Sequence, residues 1–248
     1  MQKRRPPGSR PAGGGGAGAG FAQKLGGRMT PVVMWLIVAN AAMFVLWAFG
    51  NKPIWMIERV LLSPMQFFGA LHLWQPLTAM FLETSGLAFF FSILAMWLFV
   101  PALEQHWGPR RFLFFFLSVG VLANLVAVTL AHFYQPRFFG GFNEATLAVV
   151  VAFGVLWSKQ PVSFFGVLPM SARQLTLVIV GLSYIQLAIA GDWIMLISTT
   201  VAILYTLLIT SYRFSPARWL ENWRTARLRK RYKVLTGGRN EPKQKWLN

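Results

Sequence analysis

Six apolar stretches follow one another along the chain and predict membrane-spanning helices, because a helix needs about 20 predominantly apolar residues to cross a bilayer. The fourth stretch contains Glu144 and is continuously apolar only over residues 145–157, which is about 20 Å of helix. A helix this short needs protein around it, so we expect it to lie at the centre of the others. The sequence therefore predicts an all-α membrane protein of six transmembrane helices. The stretches cover residues 31–49, 84–103, 112–133, 140–157, 174–190 and 193–211.

Small side chains recur at three- and four-residue spacing in the third and fourth stretches. This spacing places them on one face of each helix, where they allow two backbones to approach closely. The pattern favours a central, enclosed fourth helix. The residues concerned are Gly120, Ala123, Ala127 and Ala131, and then Gly141, Ala145, Ala148 and Ala152.

The connection between the first two stretches is long, and it is too apolar for a water-exposed loop. Its large side chains include Trp55, Phe67, Phe68 and Trp74. Because tryptophan is enriched at membrane–water interfaces, we expect this segment to lie in the interface. It is either a simple anchor or part of an access route into the protein.

Basic residues concentrate at the two ends of the chain. The sequence has 24 Lys and Arg against 7 Asp and Glu, a formal net charge of +17. An even number of spans with both termini in the cytoplasm places 21 basic residues inside and 3 outside, as the positive-inside rule requires. We therefore expect a disordered basic tail rich in Gly and Pro over residues 1–28, a membrane domain over residues 29–211, and a basic amphipathic cytoplasmic tail over residues 212–248.

The composition excludes several classes of protein and of site. Hydrophobic residues make up 55% of the chain and charged residues 12%, with a mean hydropathy of +0.49. A soluble domain has about 25% charged residues, so the composition argues against a single soluble domain of this size. The absence of cysteine excludes disulfides and thiol nucleophiles. The three histidines are scattered, and no phosphate-binding motif follows the glycine-rich run, so we expect no metal and no cofactor.

The segment from residue 73 to residue 112 carries a characteristic series of residues around the second apolar stretch. They are Trp74, Thr78, Phe81, Leu82, Trp97, Leu98, Phe99, Leu103, Glu104, Gly108, Arg111 and Phe112. With these residues the segment resembles the rhomboid family of intramembrane proteases, which carry a Trp-Arg-x-x-Thr entry, a Phe-Leu-His turn, an apolar helix ending in Trp-Leu-Phe-Gly, and then Leu-Glu-x-x-x-Gly-x-x-Arg-Phe. The six-span layout and the short fourth helix are similar as well. The resemblance implies a six-helix rhomboid-like bundle.

The same resemblance implies where catalytic residues would stand. Active rhomboids place a serine in Gly-x-Ser-Gly at the start of the fourth helix, a histidine base on the sixth, and a histidine and an asparagine on the second. Here Asn143 and Glu144 replace the serine and the second glycine, and Ala88 and Ser92 occupy the second-helix positions. The sixth stretch contains no histidine. Because serine attack needs a base within hydrogen-bond reach, these departures imply an inactive pseudoprotease.

Two groups of polar residues keep alternative interpretations. Asn143 and Glu144 lie at membrane depth, where polar side chains face a cavity or a partner, unless the loop is wet and Glu144 simply reaches water. The second group follows the second apolar stretch. The resemblance implies that this group anchors the second and third helices, and the alternative is solvated charge. Its members are Glu104, Gly108, Arg110 and Arg111.

The segment over residues 215–235 predicts an amphipathic helix outside the membrane. It begins Ser-Pro-Ala, a typical helix start, and carries apolar residues on one side with basic residues around them. Such a helix is typical of contact with anionic lipid. RNA or ribosome contact is the alternative, and we favour lipid over nucleic acid. The lipid-contacting residues are Arg227, Arg229, Lys230 and Arg231.

The resemblance to pseudoproteases implies binding of the transmembrane segments of other proteins, in a cavity lined by Asn143 and Glu144. Two alternatives stay open: a structural subunit of a larger membrane complex, and an intramembrane serine endopeptidase with an unusual active site. A transporter or channel would need more intramembrane charges or inverted repeats. We expect a multi-pass protein of the bacterial cell (inner) membrane, with both termini in the cytoplasm.

Overall fold

The structure is a computed structural model, and it describes residues 30–164 and 168–211. The basic tail over residues 1–28 lies outside the described residues. So does the amphipathic tail, including Arg227, Arg229, Lys230 and Arg231.

The described chain is mainly helical. Within the described ranges, five helices are long and apolar enough to cross a membrane, and a sixth apolar helix is shorter. The chain is therefore an all-α membrane protein in its spanning part. In chain order the helices are α1 (Pro31–Phe49), α2 (Ile54–Arg59), α3 (Gln75–Thr78), α4 (Gly86–Trp107), α5 (Pro109–Phe133), α6 (Asn143–Leu156), α7 (Ala172–Ile189) and α8 (Trp193–Thr210).

Local chemistry sets the helix ends. Pro31 begins α1 at the position where a missing N–H costs nothing. The α7 helix begins with a capping box, in which Ser171 Oγ accepts from the Gln174 N–H and the Gln174 side chain accepts from the Ser171 N–H. Between α4 and α5 the chain turns at Gly108, whose φ of 81° suits glycine.

The α6 helix lies at the centre of the bundle. Its residues from Ala145 to Gly154 are all buried, and it packs against α4, α5, α7 and α8. With 14 residues, this helix is about 21 Å long. Its apolar surface is covered by protein, which is how a helix too short to span a bilayer can be accommodated.

The segment between α1 and α4 is folded and has two faces. It contains α2, a π-helical turn at Met65–Gly69, α3 and a 3₁₀ turn at Ala79–Phe81. The buried face is tied to the bundle: Leu62 pairs with Phe139, and Asn124 of α5 donates to the Pro76 carbonyl at 2.8 Å. The other face exposes apolar side chains, as expected of a segment in the membrane interface. These are Ile54, Trp55, Met65, Phe68, Leu71, Leu73 and Trp74.

A short hairpin, which the sequence analysis did not predict, joins α6 to α7. Strands β1 (Pro161–Phe164) and β2 (Leu168–Ser171) pair antiparallel. Each strand has only four residues, too few for a periodic pattern to stand out beside the long apolar stretches.

Successive long helices run in opposite directions, so their termini gather at two ends of the bundle. At one end, which we call the basic end, α4, α6 and α8 finish while α1, α5 and α7 begin. Its charged residues between α4 and α7 are one acid, Glu104, and four cations, Arg110, Arg111, Lys159 and Arg173. We call the other end the Glu83 end. Its cations are Lys52, Arg59 and Arg137, and its acids are Glu58, Glu83, Glu144 and Asp192.

Candidate functional site

Two of the four positions at which the rhomboid resemblance implies catalytic residues contact each other in a polar network at the Glu83 end. Asn143 is the first residue of α6, and Ser92 lies on α4. The Ser92 Oγ donates to Asn143 Oδ1 at 3.0 Å, and Asn143 Nδ2 donates to Glu83 Oε2 at 3.1 Å. This Glu83–Asn143–Ser92 network joins the first connection, α4 and α6.

Glu83 is the member that the sequence analysis missed. Only 3% of it is exposed, and its Oε1 accepts from the backbone N–H groups of Thr84 at 3.1 Å and Ser85 at 3.4 Å. Burial raises the pKa of this carboxyl, because a charge is poorly solvated there, although the backbone bonds from Ser85 and Thr84 and the bond from Asn143 act in the opposite direction. An acid beside an apolar stretch, without a nearby cation in sequence, is the signal that could have identified it.

Two adjacent glycines bring the start of α6 close to Glu83. Gly141 has a φ of 110°, its N–H donates to the Ala79 carbonyl at 2.9 Å, and a Cβ on it would lie 2.6 Å from Glu83 Oε2. A Cβ on Gly140 would lie 2.7 Å from the Leu82 carbonyl oxygen. A side chain at either position would displace the segment that holds the Glu83 carboxyl.

The other two of these four positions lie beside the network. Ala88 is one helical turn before Ser92 on α4, and its N–H donates to Ser85 Oγ at 3.5 Å. Glu144 follows Asn143 and is half-buried. Within the described residues, neither side chain joins the hydrogen bonds between Glu83, Asn143 and Ser92.

The chemistry available to this network is limited by its middle member. Glu83 is a carboxylate that could act as a base, but Asn143 separates it from the Ser92 hydroxyl. An amide cannot take up and release a proton as an imidazole does. The arrangement can therefore orient polar groups and accept or donate hydrogen bonds, and it lacks a route for activating Ser92 through Glu83.

The last helix contributes a hydroxyl bonded to backbone at this depth. Ser198 of α8 is fully buried, and its Oγ donates to the Ala123 carbonyl of α5 at 2.7 Å. This bond links α8 to α5, in the part of α8 where the rhomboid resemblance implies a histidine.

The residues suggested as an anchor lie at the basic end and separate into two groups. Glu104 is buried and accepts a hydrogen bond from Thr30 Oγ1, which ties the start of α1 to the end of α4. Arg110 and Arg111 are exposed. In the part of the chain that the structure describes, neither arginine forms an ion pair with Glu104.

The second apolar helix continues further than the sequence pattern predicts. We expected it to end near residue 103, and α4 ends at Trp107. Burial and the hydrogen bond from Thr30 allow Glu104 to remain inside the helix, which then ends at Gly108, where φ becomes positive.

Comparison with known proteins places the chain in a family. No curated protein matches it. A family model described as "Eukaryotic integral membrane protein (DUF1751)" matches residues 32–214. The family is eukaryotic, so the prediction of a bacterial inner membrane is wrong. Composition and charge pattern led to it, and they do not separate bacterial from eukaryotic membrane proteins. The cytoplasmic placement of both termini stays a prediction. Because the match spans all six apolar helices and most of the chain, the protein belongs to the DUF1751 family of eukaryotic integral membrane proteins.

Proposed function

We propose that this protein is a rhomboid-like membrane protein without proteolytic activity, which binds transmembrane segments of other membrane proteins. In this proposal α1, α4, α5, α6, α7 and α8 are the six helices of a rhomboid-like bundle, with α6 as its short fourth helix. The observation that carries it is the hydrogen bonding of Asn143, which stands where a rhomboid has its nucleophile and contacts both Glu83 and Ser92.

The binding role is supported by the hydrogen-bonding groups of Asn143 that the network does not use. An asparagine side chain has two N–H donors and an oxygen with two lone pairs. The network uses one N–H and one lone pair, and Asn143 is exposed. The remaining donor and acceptor can bond a polar group of an incoming segment, and such a bond favours helix association inside a membrane.

Exposed apolar side chains at the start of α4 complete the proposed binding surface. Leu87 and Phe91 lie one turn apart on α4 and are 70% and 56% exposed. They begin the same helix that carries Ser92. An apolar helix with one polar or small residue near its end matches this combination of surface and amide.

Site-specific crosslinking tests the binding proposal. A photoreactive amino acid at Leu87 or Phe91 of the full-length protein, in its native membrane, should capture several single-span proteins. The same residue at Phe114 on α5, which is 72% exposed, is the matched control and should capture few. Equal capture at all three positions would contradict the proposal, and capture of one stoichiometric partner would favour a fixed subunit of a complex instead.

Reaction with a serine-directed probe tests the absence of proteolysis. Neither the wild-type protein nor Asn143→Ser should react with a fluorophosphonate or cleave a transmembrane substrate, because no histidine stands on α8 to accept the hydroxyl proton. An active rhomboid protease serves as the positive control. Labelling of the wild-type protein at one mapped residue would instead establish the endopeptidase alternative.

A further inference from the structure

A cleft between α6, α7 and α8 lies near the basic end, away from the Glu83–Asn143–Ser92 network. It has a volume of about 330 Å³. Most of its lining is aliphatic, and three hydroxyl or cationic residues, Ser158, Arg173 and Thr176, lie toward the start of α7. The aliphatic residues are Val151, Val155, Leu177, Val180, Ile203 and Leu207.

Defined contacts bound the cleft along the helices. Near its start, α7 touches α6 directly, because Thr176 Oγ1 donates to the Val150 carbonyl at 3.1 Å and a Cβ on Gly154 would overlap Thr176. One turn beyond Val180 and Ile203, the Tyr184 hydroxyl and Thr200 Oγ1 lie 2.7 Å apart and join α7 to α8. The cleft therefore lies within a fixed three-helix frame.

The cleft opens toward the lipid phase. Leu177 is 62% exposed and Val155 is 40% exposed, and only Ala172 and Leu175 of α7 are buried. The molecules that surround such a face in a membrane are lipids. An acyl chain could enter from the side without any separation of the helices.

The frame around the cleft favours an acyl chain over a peptide helix. The Thr176–Val150 bond joins α7 to α6, and the Tyr184–Thr200 bond joins α7 to α8, so the three helices stay close together along the cleft. A helix about 10 Å across would have to separate them to enter, whereas an extended acyl chain is narrower. With about 330 Å³, the cleft falls among small-molecule sites, which begin at about 300 Å³.

The positive charge at the start of α7 favours a lipid with an anionic headgroup. Arg173 is exposed and lines the cleft, and its backbone N–H donates to the Ser158 carbonyl at 3.4 Å. In the described part of the chain Arg173 has no carboxylate partner. Lys159 is exposed close by. Since basic pockets between transmembrane helices bind anionic headgroups, we propose that this cleft is a binding site for one anionic glycerophospholipid, with an acyl chain between the helices and its phosphate at Arg173.

Photolabelling tests this site independently of the proposed function. The full-length protein in phosphatidylcholine nanodiscs is mixed with phosphatidylserine that carries a diazirine in its acyl chain, and labelled residues are mapped by mass spectrometry. We expect labels among the aliphatic lining residues of α6, α7 and α8. Arg173→Gln should reduce labelling about fivefold, the effect of losing one basic contact near a membrane surface. Arg111→Gln, which removes an exposed cation at the same end outside the cleft, should leave it unchanged.

A second variant and a second lipid keep the result decisive. Val180→Trp should fill the cleft and abolish labelling. If gel filtration shows that this variant does not fold, Arg173→Gln alone decides the test. Equal labelling by a diazirine phosphatidylcholine, an unchanged signal in Arg173→Gln, or labels confined to residues 212–248 would each overturn the proposal. Displacement of the label by an equimolar transmembrane peptide would overturn it in favour of a peptide groove.

Discussion

At the scale of single residues, the candidate site depends on how closely one backbone passes another. Gly141 has a φ of 110° and faces the Glu83 carboxylate. The same carboxylate fixes the Asn143 amide. Substituting Gly141 tests the backbone geometry of the site, and substituting Glu83 tests its charge.

Gly141→Ala should destabilise the protein by about 1–3 kcal/mol, the cost of holding a non-glycine residue in a positive-φ conformation. The added Cβ would also crowd Glu83 Oε2. Gly181→Ala is the control, because Gly181 lies in α7 with nothing within 4 Å of a built Cβ. Thermal unfolding of both variants in the same detergent measures the difference, and equal melting temperatures would refute the role given to Gly141.

The stability of the protein should depend on pH, in a direction that follows from the pKa of Glu83. Burial raises the pKa of Glu83 in the fold above its ordinary value of 4.5, so the fold favours the neutral carboxyl. The resulting stability is fully present below pH 4.5 and is lost as pH rises through the folded-state pKa. We expect the melting temperature of Glu83→Gln to fall less than that of the wild type between pH 4 and pH 8.

Glu83 acts electrostatically on Glu144, so the comparison of the two proteins reports the Glu83 carboxyl together with its effect on Glu144. The difference between the two melting curves is the quantity to measure. Parallel curves for the wild type and Glu83→Gln would show that Glu83 does not titrate differently in the folded protein.

At the scale of elements, the contact between α6 and α7 relies on one missing side chain. A Cβ on Gly154 would overlap Thr176, and Thr176 bonds the Val150 carbonyl. Gly154→Val should therefore cost about 1–3 kcal/mol through overpacking. Combining it with Thr176→Ala should restore part of the loss, since alanine removes the Oγ1 and Cγ2 overlaps and keeps only the Cβ. Unfolding measurements on the two single variants and the double variant check this coupling, and strict additivity would contradict it.

The elements also show what the sequence could predict. The α1 helix has the predicted bounds of 31–49, because Pro31 begins it and Gly50 follows it. The candidate site could be predicted only in part. The resemblance indicated Asn143 and Ser92, but Glu83 is 60 residues from Asn143 in sequence. Their contact depends on how the first connection folds under α6, which no local pattern encodes.

At the scale of the whole bundle, the two ends offer different chemistry. The basic end combines four cations with one buried acid and a cleft that begins at Arg173. The Glu83 end carries a polar network and the Arg137–Asp192 ion pair, whose Arg137 Nη2 lies 2.5 and 2.6 Å from the two carboxylate oxygens. The proposed peptide surface and the proposed lipid site therefore occupy opposite sides of the membrane and can be tested separately.

The lengths of the helices have a consequence for the bilayer itself. Helices α7 and α8 have 18 residues each, or about 27 Å, whereas α5 has 25, or about 37 Å. Hydrophobic mismatch is then uneven around the protein: lipid beside α7 and α8 must thin toward their length, and α5 must tilt or project. The length of α7 and α8 matches the thinner membranes of a eukaryotic cell, whose hydrocarbon core is about 27 Å thick, better than those with a core of about 32–33 Å. Reconstitution in bilayers of increasing acyl length should give the highest melting temperature in the thin ones, and a maximum in the thickest would contradict this.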